Sequence, residues 1–332
     1  MRSSDGRSAA PTINKAIIVK TTAKAGRTTV RKEAAPGKVR SDPSDYVLRG
    51  VSYTLVSIFS IFCVLPFVMI LSASFSKESE IMKHGFGLLP RGFSLEAYEF
   101  IFKSPRQVIG SYVVTVTMTV LGTAIGLFII AMTGYALQRR DFALRNAVSF
   151  FVYFTTLFSA GLAPTYLWVA RELGLRGNYL AVFLQLLMTP WLIILMKNFV
   201  RSVPHEITES GKVGGAGDFR IFLRLVLPMM KPALATTGLF LALGYWNEWY
   251  LSSLYLGSTV EFKPLQYYLY NIINTANALK SSMAGNNVSV SQLPSNTLKM
   301  ASAVVATGPI VLLYPFVQRY FVSGITVGAV KG

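Results

Sequence analysis

The chain has 332 residues, of which 52% are hydrophobic and only 14% charged, with a formal net charge of +17 and a mean hydropathy of +0.46. A soluble domain carries about 25% charged residues, so this composition describes an integral membrane protein and excludes an ordinary soluble enzyme. The single cysteine, Cys63, lies in an apolar run and leaves no disulfide within one chain.

Residues 1–45 are rich in Ser, Thr, Ala, Lys and Arg and hold no aromatic residue. They read as a disordered basic tail attracted to anionic lipid, ahead of one transmembrane domain over 46–332. The first apolar run lies behind this tail, which excludes a cleavable signal peptide. Six runs reach the roughly 20 apolar residues a spanning helix needs: Val51–Ser74, Val108–Leu137, Ala143–Ala170, Tyr179–Val200, Pro232–Leu256 and Lys299–Gly324. With six spans both termini face the same side. Most Lys and Arg then fall inside, including Arg139, Arg140 and Arg145 in one short loop and Arg201, Lys212, Arg220, Arg224 and Lys231 in another. Both termini are therefore expected in the cytoplasm, and the excess charge reads as orientation rather than nucleic-acid binding.

Between spans one and two, Phe93–Tyr98 reads as a short surface helix capped by Ser94. Span two carries Gly122 and Gly126 with Thr115, Thr119 and Thr133, a pattern for close helix packing. Span three contains Gly161 and Pro164, span four Pro190, and span six Gly308, Pro309 and Pro315. Such breakers kink membrane helices, whether around a cavity or merely for packing. Residues 171–178 form a tight outer turn. The large outer loop, 257–298, divides into Pro264–Leu279, apolar enough to fold on the bundle, and Ser281–Ser295, small and polar as a loop tip is.

One acid sits inside a span, in Trp246-Asn247-Glu248-Trp249-Tyr250. A charge at mid-bilayer costs about 2.5–3.5 kcal/mol on the insertion scale, so it calls for a reason. Aromatic faces beside hydrogen-bonding groups suit a sugar. An interfacial aromatic belt accounts for the same residues, and an ion-coupled carrier would use Glu248 as its proton site. There is no P-loop, the glycines at 214, 215 and 217 lack dinucleotide spacing, and His84 and His205 lie in loops on opposite sides. No catalytic or metal-binding set and no cofactor is expected.

The cytoplasmic loop, 201–228, is the most informative segment. Pro204 precedes a helix expected over His205–Val213, with Glu206 and Glu209 in its first turns, where negative charge is favoured. Gly214, Gly215 and Gly217 break it. Asp218 then caps a second helix, Phe219–Leu227, whose Phe219, Phe222, Leu223 and Leu227 share a face and which ends at Pro228.

Glu209-Ser210-Gly211, Gly215, Leu225, Leu227 and Pro228 match the spacing E-A-A-x3-G-x9-I-x-L-P. In this the chain resembles the membrane subunits of ATP-binding-cassette importers. Val203-Pro204-His205-Glu206-Ile207, Ala163-Pro164-Thr165-Tyr166, Trp246-Asn247 and Gly328-Ala329-Val330-Lys331-Gly332 resemble the carbohydrate branch, of the maltose-type second permease kind. The resemblance covers about 45–332. It implies an all-α, six-span type I importer (MetI-like) permease in a bacterial inner membrane, without an ATPase site of its own. It implies partners too: an ATPase dimer, a second homologous permease, an extracytoplasmic solute-binding protein and an oligosaccharide substrate. Glu206, Glu209, Ser210, Gly211, Gly215, Phe219, Leu225, Leu227 and Pro228 would then couple to the ATPase. Tyr166, Trp246, Asn247, Glu248 and Tyr250 would line the substrate path, and Ser281, Asn286, Asn287 and Ser291 would meet the binding protein. Ser210 and Gly211 replace the two alanines of the pattern. A glycine inside a helix costs about 0.8–1 kcal/mol against alanine, so a softer docking helix is expected.

Overall fold

The computed structural model describes residues 43–285 and 294–329. The expected tail, up to residue 42, lies outside these, as do residues 330–332. Two units divide the chain, 1–57 and 58–332. In chain order the helices are α1 (Pro43–Ser74), α2 (Glu78–His84), α3 (Glu96–Ile101), α4 (Pro105–Gln138), α5 (Arg145–Leu157) and α6 (Leu162–Leu167), which runs into a π-helical turn, Trp168–Glu172. Next come α7 (Tyr179–Leu187), α8 (Pro190–Val200), α9 (His205–Val213) and α10 (Asp218–Ile221). A second π segment, Phe222–Val226, leads into α11 (Leu227–Met229), followed by α12 (Lys231–Trp246), α13 (Tyr250–Tyr255), α14 (Leu265–Gly285) and α15 (Asn296–Ala329).

In the first unit the described residues are the opening turns of α1, which starts at Pro43, before the expected end of the tail. Tyr46, Val47, Leu48, Val51 and Tyr53 are all exposed there. Tyr46–Ser74, which α1 carries across the boundary at Ser57, Pro105–Gln138 and Tyr179–Val200 are helices long and apolar enough to cross a bilayer. Two bent pairs raise the number to as many as five. The most apolar stretch of α1 buries nothing within this chain, as suits a surface meeting lipid or another subunit.

The helix α4 is the backbone of the second unit. It buries Thr115, Met118, Gly122, Gly126, Ile130 and Gly134. A Cβ on Gly122 would fall 2.3 Å from the Tyr245 ring, and one on Gly126 would fall 2.8 Å from the Leu187 carbonyl oxygen. The glycine pair therefore does what its spacing suggests: α12 and the end of α7 approach the α4 backbone more closely than any side chain allows. Leu187 lies where the expected fourth span is interrupted. The chain leaves the helix there and restarts it at Pro190, whose ring fits the first turn.

Span three is not one helix. A bend of 114° separates Arg145–Leu157 from Leu162–Glu172. It falls before Pro164, where Gly161 takes φ +86°, a conformation that favours glycine. Span six, by contrast, runs through Pro309 without a break. Proline at 309 frees the Val305 carbonyl of its helical donor. The Tyr112 hydroxyl donates to that oxygen at 2.9 Å, and the Trp246 indole N–H donates to Ala306 O at 3.0 Å. Neighbouring helices thus satisfy the freed acceptor and lock α15 to α4 and α12.

The helix expected near Ser94 is α3, starting at Glu96; Leu95 rather than Ser94 holds the cap position, and the Ser94 hydroxyl accepts from Glu96 N–H at 3.2 Å. The helix lies at the surface with one face packed inward: Glu96 and Glu99 are exposed, while Ala97 and Ile101 are buried in a cluster with Trp246, Leu265 and Leu298. The segment after Pro264 does fold on the bundle, as α14, with Leu265, Tyr267, Leu269 and Ala276 buried. The expected polar tip, Ser281–Ser295, falls only partly within the described residues. Residues 281–285 still belong to α14, and Ser295 is buried beside the start of α15. There Glu78 of α2, itself buried, accepts from Asn296 N–H at 3.0 Å and Thr297 N–H at 2.9 Å. A carboxylate at a helix N-terminus is favourably placed, so this contact anchors the far end of the outer loop.

Candidate coupling surface and substrate-path residues

The loop helix runs over His205–Val213, the range its pattern predicts. Its end is built by glycine. Gly215 takes φ +71°, the Gly215 N–H donates to Lys212 O at 2.9 Å, and the Ala216 N–H donates to Gly211 O at 3.0 Å. This is the Schellman arrangement, with the motif glycine at its left-handed position. Gly214 before it has an ordinary φ of −73°.

Gly211 is not slack. A Cβ there would lie 2.9 Å from Ile221 Cγ1 and 3.0 Å from Leu225 Cδ1, so its absence lets α9 rest directly on the segment that follows. The second loop helix departs from expectation in three ways. Asp218 does not cap it; Gly217 holds that position. The π segment shifts the helical register, so that Ile221, Phe222 and Val226 are buried while Phe219 and Leu223 are exposed. Pro228 does not end it either, because helix continues to Met229 and the chain turns by 87° into α12.

The result is an outward face. Glu206, Glu209, Ser210 and Gly215 are exposed, and two apolar side chains stand out among them, Val213 at 91% and Phe219 at 58% exposure. Leu225 and Leu227 instead pack inward against the cluster of Tyr135, Met196 and Phe222. His205 Nδ1 lies 2.9 Å from Glu209 Oε1.

Four charged residues beneath this face were not singled out by sequence reasoning as a site. Arg139, just past the end of α4, donates from Nε to Asp141 Oδ1 at 2.8 Å and from Nη2 to Asp141 Oδ2, and its Nη1 lies 2.6 Å from Asp218 Oδ1. Lys212 Nζ reaches Asp141 Oδ2 at 2.6 Å. The guanidinium, whose side chain is 16% exposed, lies 5.8 Å from the Tyr135 ring centre. A bidentate arginine–carboxylate pair fixes geometry as well as charge. Hydrogen bonds from Arg139 and then Lys212 hold the Asp141 carboxyl well below the usual carboxylate range. The signal was an acid in the otherwise basic stretch Gln138-Arg139-Arg140-Asp141; counting these charges only as orientation hid it. Together the pairs tie α9 and α10 to the C-terminal end of α4.

The expected substrate-path residues do not form one lining. Trp246 is buried and spent on Ala306 O. Glu248 is buried in the break between α12 and α13. Its carboxylate accepts from Leu251 N–H at 2.5 Å, Ser252 N–H at 3.0 Å and the Ser252 hydroxyl. The cost of an acid within the span is thus met by the N-terminus of α13. Tyr166 stacks on Tyr255, ring centres 5.4 Å apart, and Asn247 Oδ1 has only a long contact, 3.5 Å, from Gln266 Nε2. Tyr250 is exposed, edge-on to Trp249. Of the residues expected to meet a binding protein, Ser281 is exposed on α14, its hydroxyl donating to Asn277 O at 3.0 Å. Asn286, Asn287 and Ser291 lie outside the described residues.

The described residues form a helical membrane domain with a helical projection between its apolar helices, as in a transport permease subunit. Residues 131–327 match the family described as "Binding-protein-dependent transport system inner membrane component", and the chain belongs to that family. It is 40% identical over 280 residues to the polygalacturonan/rhamnogalacturonan transport system permease protein YtcP of Bacillus subtilis, covering 84% of this chain and 96% of that one. It is 36% identical over 269 residues to protein LplC of the same organism, covering 81% and 90%. Among solved structures, a bacterial ABC transporter involved in import of the acidic polysaccharide alginate has a chain with TM-score 0.69 and 29% identity, covering 85% of this chain and 99% of that one.

Proposed function

We propose that the chain is one of two permease subunits of an ATP-driven importer of oligosaccharides, acidic ones in particular, with both termini in the cytoplasm. The observation that carries this reading is the loop surface, where an acidic and apolar helix face projects from the protein and its end is held by Gly215 and the Arg139 cluster. Val213 and Phe219, exposed on a loop outside the membrane, suit a groove on a soluble ATPase subunit, with Glu206 and Glu209 at the rim. Closure of an ATPase dimer would move α9. The pairs Arg139–Asp218 and Lys212–Asp141 would pass that motion to α4, around which α8 and α12 pack, and hydrolysis in the partner would reset it. The exposed apolar faces of α1 are available to lipid and to a second permease. Acidic sugar as the substrate is supported by the polygalacturonan and alginate systems that the chain resembles. The carrier alternative would need Glu248 as a proton site, and its oxygens are occupied by the cap of α13.

The test is to purify the tagged chain from native membranes in mild detergent, identify what accompanies it, and reconstitute the assembly. Recovery with an ATP-binding-cassette subunit, a different permease and ATP-dependent uptake is expected. Uptake by this chain alone, driven by membrane potential and indifferent to ATP, would overturn the reading.

A further inference from the structure

A cavity of about 270 Å³ lies where the α12–α13 break meets α14 and α15, lined by Trp249, Gln266, Tyr270, Lys299, Ser302 and Ala303. Its volume lies just below the range for drug-sized-ligand pockets, about 300–1,000 Å³, which suits a single sugar residue rather than a longer one. Trp249 and Tyr270 pack with ring centres 4.6 Å apart, inclined at 32°, and both remain exposed. Ser302 is buried, and its hydroxyl has no hydrogen-bond partner among the described residues. Among the described residues the Gln266 side chain makes only the long contact with Asn247. Lys299 is exposed and lies within ion-pair distance of no carboxylate among the described residues.

These groups have complementary needs. Aromatic faces take the C–H face of a pyranose ring. A serine hydroxyl and a carboxamide supply donors and acceptors to sugar hydroxyls. A free ammonium answers a carboxylate, with a charge-assisted hydrogen bond about twice as strong as a neutral one. Eight buried side-chain polar atoms lack a partner among the described residues, and Ser302 Oγ is the one of them that lines this cavity, where a sugar hydroxyl would supply it.

We propose that this cavity is a substrate subsite contributed by this subunit, holding one uronate residue of an acidic oligosaccharide with its carboxylate on Lys299 Nζ. The inference rests on the importer reading and places sugar recognition on Trp249, Tyr270, Ser302 and Lys299, with Trp246 and Glu248 serving as structural supports.

The test uses the complete importer in lipid nanodiscs, with trigalacturonate and its carboxyl-reduced counterpart, trigalactose, as probes. Acetylation of Lys299 is followed by peptide mass spectrometry, with Lys263 as the internal reference. Trigalacturonate should slow labelling of Lys299 at least about threefold and leave Lys263 unchanged, whereas trigalactose should not. No protection, or equal protection by the neutral sugar, overturns the proposal. In proteoliposomes Lys299→Gln should raise KM for trigalacturonate about tenfold while Lys299→Arg stays near wild type, at equal amounts in the membrane; an unchanged KM in Lys299→Gln also overturns it. Should ATP-driven sugar uptake persist with Lys299 unprotected, only the subsite fails. If the wild-type assembly takes up no sugar with ATP, the importer reading fails and takes the subsite with it.

Discussion

Replacing Gly215 by alanine should loosen the loop helix, and replacing its neighbour Gly214 should not. Gly215 sits at φ +71° with no atom within 4 Å of where a Cβ would stand, so the penalty is conformational rather than steric. A left-handed residue with a Cβ costs about 1–2 kcal/mol. Gly214 has an ordinary φ, and a Cβ there meets nothing closer than 3.5 Å. Alanine at that position should gain about 0.4–1 kcal/mol by restricting the unfolded chain. A loss of 1–2 kcal/mol multiplies the open population by about 5–30. Hydrogen exchange at the α9 amides, measured in nanodiscs, should therefore accelerate by that factor in Gly215→Ala and stay equal or slow in Gly214→Ala. ATP-driven uptake should fall only in the former. Equal behaviour of the two variants, or no change in Gly215→Ala, would refute the assignment of the motif glycine to a left-handed helix end.

Arg139→Gln should lower uptake and the ATPase rate it is coupled to while leaving the chain in the membrane, and exchanging the pair as Arg139→Asp with Asp218→Arg should recover part of both; no recovery would remove the Arg139–Asp218 contact from the coupling path. The Asp141 carboxyl is held below its usual range, so the tether it contributes is present above an ordinary aspartate pKa and is lost as pH falls through the lowered value. α9 exchange, corrected for intrinsic rate, should then be flat between pH 5 and pH 8, and a midpoint inside that window would contradict the network. Glu248→Gln removes a charged acceptor from buried N–H donors and should cost about 1–3 kcal/mol of detergent thermal stability, while uptake stays dependent on ATP and indifferent to uncouplers; proton-driven uptake in the wild type would revive the carrier. Gly122→Val forces the Tyr245 ring aside and should destabilise by about 1–3 kcal/mol, read as a lower melting temperature; an unchanged melting temperature would mean that α4 and α12 pack more loosely than described.

Much of this protein was legible in one dimension because its strongest signals are local. A run of 20 apolar residues has few fates other than a membrane helix, and the glycine pair at 122 and 126 announces close packing because spacing along a helix is spacing on its face. The range His205–Val213 follows from Pro204 before it and the glycines after it. Other features depend on partners far away in sequence. Glu248 reads as a costly charge until the N-terminus of α13 folds back onto it, and Pro309 reads as a kink until Tyr112 reaches the carbonyl it frees. Asp218 looks like a cap because capping is the local use of an aspartate; Arg139, at the end of a different span, takes its carboxylate instead through a single charged contact at 2.6 Å. The register of the loop's buried face turned on one π segment, which local pattern does not encode. The membrane class, the apolar helices and the range of the loop helix were thus legible in the sequence alone, since hydrophobicity and turn chemistry act over a few residues. Which polar groups are spent on structure and which remain free for a ligand was decided only when the helices packed, because in an apolar bundle each buried donor and acceptor takes whatever partner tertiary contact brings within reach.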